Sequence, residues 1–269
     1  MIRKQHIHYI FIDYLKTVAV LLVINSHFDC LYPIPALATG GAMGNALFFI
    51  VSGFCLWPIS DGFGYWTYRK YIRLYLPALL TSVFVLCTTR QDLITWGNIL
   101  PIFIWPTLYW FVGGMFVLYI LYYFSRKIVS TKDFLISFVV ICIIYIIYYL
   151  FLDTSMWVVE STWIIDNGLH DFVAGSFKLI YYFAIMLIGK YIRINSDKIQ
   201  VSTKKSLINV FFSIISLYSV KYVITHVPPL MHLQFLNQIS VIWFAVSMML
   251  LGLATEKRGG KIFIFIKAQ

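Results

Sequence analysis

Apolar runs close to the length of a bilayer core alternate along the chain with short segments rich in basic residues. Eight runs stand out, at about 7–28, 40–58, 72–88, 107–125, 134–152, 174–192, 207–225 and 235–254. A hydrocarbon core is crossed by roughly 20 apolar residues in a helix. An open strand in lipid would leave backbone groups unpaired, so every run is predicted to be helical. The first run is not a signal peptide: it is too long, carries Asp13 and Lys16, and lacks a small-residue cleavage site. The pattern predicts an all-α, polytopic integral membrane helix bundle. It has about eight transmembrane helices and a C-terminal stub in a single domain over residues 1–269. That stub, IFIFIKAQ after Lys261, reads as an interfacial tail or as the start of a ninth span too short to cross.

Composition excludes the soluble alternative. Hydrophobic residues make up 61% of the 269 positions and charged residues 12%. A soluble domain carries about 25% charged residues, and half that number cannot cover its surface. The lipid bilayer is therefore the first expected partner. The net charge of +10 does not indicate nucleic acid, because the basic residues form short clusters between spans and no single patch. With the N-terminus cytoplasmic, inner segments hold 17 of the 21 basic residues, from Arg3 and Lys4 to Lys267, and outer loops hold Arg90 alone. This is the split that the positive-inside rule expects. Cys30, Cys55, Cys87 and Cys142 are widely separated, and no Cys/His spacing suits a metal. His226 and His232 in HVPPLMH have the wrong spacing for a helical metal pair.

Ionisable groups within spans cost several kcal/mol unless paired or wet, so they draw attention. The first helix has three: Asp13, Lys16 and His27. Asp13 and Lys16 are i,i+3 neighbours and can pair. Lys16 and His27 are eleven residues apart, which at about 100° per residue leaves them about 20° apart on one face and about 16.5 Å apart along the axis. Snorkelling accounts well for Lys178 and Lys221 near span ends. It accounts poorly for Lys16 near mid-span. Histidine near the outer surface is a suitable general base for a hydroxyl. In the second run, GNALFFIVSGFCL, Ser52 and Gly53 read as a close helix-packing step. In the third, WTYRKYIRLYLP, Arg69, Lys70 and Arg73 read either as topology determinants or as a phosphate clamp.

Together these segments resemble membrane-bound acyltransferase family 3, whose members O-acylate bacterial surface polysaccharides and related glycans. The similarity covers about residues 8–125. Asp13 and His27 fit the family's first motif, with Lys16 where the family has arginine. Phe48, Phe49, Ser52 and Gly53 fit the second. Arg69, Lys70, Arg73 and Pro77 fit the third, and LYWFVGGMFVLY, with Trp110 and Tyr119, resembles the next. The late aromatic segment ending in histidine is not visible, and the C-terminus reads as short relative to the family.

The resemblance implies a catalytic set of His27, Lys16 and Asp13, and a donor site of Arg69, Lys70 and Arg73 for the phosphates of acyl-coenzyme A. Ser52, Gly53 and Trp110 would touch substrate or pack helices. Acetyl is the expected acyl group, a glycan or lipid-linked sugar the acceptor, and the bacterial cytoplasmic membrane the location; no metal is implied. Competing readings are a polysaccharide exporter or small-molecule transporter of the same architecture, and an inactive fragment. The orientation is checked by cysteine labelling in sealed cells: a cysteine at Gly168 is expected to react from outside, and one at Ser202 is not.

Overall fold

The computed structural model describes residues 9–28, 31–33, 38, 40–88, 110–151, 169–227, 230 and 233–266. These residues form eight α-helices in chain order: α1 (Ile10–Ser26), α2 (Gly41–Cys55), α3 (Phe63–Thr88), α4 (Trp110–Phe124), α5 (Thr131–Phe151), α6 (Leu169–Ile194), α7 (Thr203–His226) and α8 (Gln234–Ile266). A 3-10 turn, Ser125–Lys127, follows α4. No strand occurs among the described residues. The loops expected outside, about 89–109 and 152–168, lie outside the described residues, as do Cys30 and His232.

Each apolar run has become one helix, with two differences. The third helix begins at Phe63 rather than near 72, because the aromatic and basic stretch before the apolar run is itself helical. The expected stub is no separate element: α8 continues without a break to Ile266. Among the described residues, four helical segments are long and apolar enough to cross a membrane: Phe63–Thr88, Thr131–Phe151, Thr203–Ile224 and Gln234–Lys257. The helices α1, α2 and α4, of 17, 15 and 15 residues, rise only about 22–26 Å at 1.5 Å per residue. That is less than a hydrocarbon core of about 30 Å.

The chain divides into two compact units, Met1–Trp57 with Ile185–Gln269, and Pro58–Ala184. In the first, α2 is the centre. Its residues Ala46, Leu47, Phe49, Ile50 and Phe54 are almost fully buried. A Cβ on Gly53 would lie 2.0 Å from the Met186 carbonyl oxygen, and one on Gly189 would lie 2.0 Å from the Ile50 oxygen. So α2 and the end of α6 meet backbone to backbone. Gly44 does the same against α1, where a Cβ would come 2.6 Å from the Ala19 oxygen. Just before α2, Gly40 has φ +130, a conformation suited to glycine, with its Cβ position 2.9 Å from the Leu22 oxygen. The helices α7 and α8 pack along each other and share a hydroxyl contact, Ser216 to Ser240, at 3.1 Å.

In the second unit α3 packs on α4 through rings. Trp66 meets Tyr119 and Tyr123, and Tyr71 lies 4.8 Å from Phe116. Pro77 lies inside α3, and Thr81 donates to its carbonyl at 2.8 Å. No residue of α5 is fully buried. Its Leu135, Val139, Val140, Ile143, Ile147 and Leu150 are all exposed, a surface stable against hydrocarbon and not against water.

The glycine contacts generate a test. Gly53→Val or Gly189→Val is expected to destabilise the fold by at least about 1–3 kcal/mol, the usual cost of overpacking, and to lower Tm in detergent. Gly62→Ala, with nothing within 4 Å of its Cβ position, is expected to leave Tm unchanged.

Candidate functional site

The buried face of α1 is apolar. Phe11, Ile12, Leu15 and Ala19 are at most 5% exposed, and they point into the first unit. The opposite arc carries Asp13, Lys16, Val20, Ile24 and His27, all exposed. Lys16 Nζ stands 3.7 Å from Asp13 Oδ1, with the two side chains 49% and 56% exposed. The helix therefore turns a charged stripe outward. His27 is the C-cap, with its N–H donating to the Ile24 carbonyl at 3.0 Å and its ring exposed. Nearby polarity is anchored: the Tyr32 hydroxyl donates to Asn25 Oδ1 at 2.5 Å, and Ser26 Oγ to the Val23 carbonyl at 2.7 Å. The expected single face of Asp13, Lys16 and His27 is present.

On α2, Ser52 and Gly53 of the second motif separate. Gly53 is buried against Met186, a packing contact. Ser52 is only half-buried, one helix position round, on the same side as Asn45 and Phe48.

The basic cluster lies in the second unit, within the first three turns of α3. Arg69 Nη1 is 3.2 Å from Asp61 Oδ2, and its guanidinium stands over the Tyr65 ring at 5.4 Å. Lys70 Nζ lies 5.7 Å from the Trp66 ring centre. Arg73 is exposed, with no ion-pair partner among the described residues. The sequence reading missed two neighbours of this cluster. Asp61 holds Arg69 in place. The Tyr123 hydroxyl contacts the Asp61 carbonyl at 3.5 Å and accepts a short bond from Arg126, whose guanidinium lies 4.6 Å from the Tyr123 ring centre. Trp110 opens α4, and its side chain lies outside the described residues.

A second cationic group was missed entirely. Lys190, one of the 17 basic residues counted with the inner segments, is 1% exposed inside α6, with Nζ 4.6 Å from the Trp57 ring centre. One turn on, the Arg193 guanidinium lies over Tyr9 at 4.5 Å and Phe54 at 5.1 Å. Near these, Glu256 of α8 accepts from the backbone at the start of α1. Nothing local marks these residues; only the order WPIS after α2 placed an aromatic at that helix end.

Long apolar helices and an α5 surface suited to lipid define an integral membrane protein, and one of its short helices carries an exposed charged stripe. The sequence profile of acyltransferase family 3, described as an acyltransferase domain, matches residues 9–267. The chain belongs to this family, and the similarity first seen over about 8–125 extends across nearly the whole chain. No curated protein and no solved structure matches.

Proposed function

We propose that this acyltransferase moves an acyl group, acetyl by expectation, from acyl-coenzyme A to a hydroxyl of a cell-surface polysaccharide or related glycan. It would work in the bacterial cytoplasmic membrane with its N-terminus inside and its eight helices embedded. The observation that carries this reading is the outward stripe of Asp13, Lys16 and His27 on α1, opposite a fully packed face. A half-exposed ion pair in lipid costs several kcal/mol unless water or substrate reaches it. The stripe therefore suits the wall of a hydrated path along which substrate groups meet.

In this scheme Arg73, with Arg69 and Lys70, holds donor phosphates on the cytoplasmic side, since guanidinium forks match phosphate oxygens. Arg69 is shared with Asp61, so Arg73 is the cation most available to the donor. At the outer end the His27 imidazole takes the proton of the acceptor hydroxyl. The oxygen attacks the thioester carbonyl carbon, and the tetrahedral adduct collapses with cleavage of the C–S bond. The leaving thiolate recovers the proton as coenzyme A, and the sugar keeps the acyl ester. Lys16, oriented by Asp13, supplies positive charge along the stripe. A transporter would also place charges in spans, and membership of an acyltransferase family favours chemistry over transport.

Two measurements test the scheme. Arg73→Ala is expected to weaken acyl-coenzyme A binding about 10- to 150-fold, the equivalent of one charge-assisted contact of roughly 1.5–3 kcal/mol; unchanged binding in detergent returns the cluster to topology. His27→Gln is expected to lower acyl transfer about 10²–10⁴-fold, the usual contribution of a general base, while expression and donor binding persist. Lys16→Arg is expected to keep activity. Full transfer by the His27→Gln protein would remove the general-base role.

A further inference from the structure

The start of α1 is closed from the far end of the chain. Tyr9, its N-cap, makes no side-chain capping bond. Glu256 on α8 takes that place: the Phe11 N–H donates to Oε2 at 3.1 Å and the Ile10 N–H to Oε1 at 3.4 Å. Two of the N–H groups left over at a helix start are thereby satisfied, and the carboxylate sits at the positive end of the helix dipole.

The same stretch of α8 grips α1 a second time. One turn before Glu256, Gly252 lies against the Phe11 ring, where a Cβ would come 2.3 Å from Cδ2. The ring, 3% exposed, fixes the rotation of α1, and the carboxylate fixes its depth. The next residue ties the same turn to the link after α6: Lys257 Nζ donates to the Ser196 carbonyl at 2.5 Å and the Ile199 carbonyl at 2.8 Å. One turn of α8 thus holds the start of the helix that carries Asp13, Lys16 and His27. A slip or rotation of α1 at Phe11 would carry all three side chains with it.

We propose that Glu256 is a positioning residue for acyl transfer: through the start of α1 it sets the depth and rotation of the Asp13–Lys16–His27 stripe. This rests on the acyl-transfer reading above. A residue that merely stabilised the fold would change the amount of folded protein and leave each folded molecule with its full kcat.

The experiment uses the full chain in nanodiscs, with native cysteines replaced and spin labels at Leu21 of α1, off the Asp13–Lys16–His27 stripe, and Ile239 of α8, both exposed. The kcat per folded molecule, the KM for acyl-coenzyme A and the label-to-label distance are measured together. For Glu256→Ala, kcat is expected to fall about 10²-fold, as misplacement by about 1 Å can cause. The KM is expected to hold and the distance to shift or broaden. Glu256→Gln, which keeps an acceptor oxygen in place, is expected to restore most of kcat and the original distance. Where Glu256→Ala does not fold, Glu256→Asp, one methylene shorter, carries the same test. An unchanged kcat per folded molecule, or an unchanged distance, overturns the proposal. If the native protein transfers no acyl group, the functional reading falls, and the label distance alone decides whether Glu256 positions α1.

Discussion

Lipid tails are as apolar as leucine, so helices in a membrane gain little from hiding apolar surface against each other. Depth of contact has to supply the attraction, and glycine allows the deepest contact. The crossing of α2 with the end of α6 is built on this, with Gly53 against the Met186 backbone and Gly189 against the Ile50 backbone. Gly44 repeats the device against α1, and Gly252 against Phe11. Once α1 is seated on α2 and α8 by its Phe11–Leu15–Ala19 side, its other side has to face away. The polar stripe is outward because the apolar side is consumed by packing.

The charges follow a second constraint. The chain has 21 basic and 11 acidic residues, so carboxylates cannot partner every cation. Aromatic faces take up part of the load, as ring quadrupoles attract cations. Trp57 serves Lys190, Tyr9 and Phe54 serve Arg193, Trp66 serves Lys70, and Tyr123 serves Arg126. Backbone carbonyls serve Lys257. Among the described residues, the carboxylates that form ion pairs, Asp13 and Asp61, belong to the two candidate sites.

Much of this was legible in the chain. Eight apolar runs became eight helices, because bilayer length and apolar content act locally. The shared face of Asp13, Lys16 and His27 followed from helical geometry alone. What escaped was non-local. Glu256 caps a helix 245 and 246 residues away in sequence, and no periodicity relates such positions. Lys190 escapes because counting cations by side assumes that those at helix ends are solvated, whereas Trp57 covers it. Asp61 lies eight residues before Arg69 in a turn, beyond the reach of i,i+4 reasoning. Short family motifs end near residue 125, and the later helices carry family composition without them.

The bare helix α5 has one more consequence. At 21 residues it rises about 31 Å, close to the thickness of a hydrocarbon core at about 30 Å. With no fully buried residue, it is solvated by annular lipid along most of its circumference. Its depth answers to acyl-chain length more than to its neighbours. Thinner membranes act on α5 by tilting it, and thicker ones are drawn thinner around it. The bilayer is a structural component of this unit, and a change of lipid is equivalent to a change of partner.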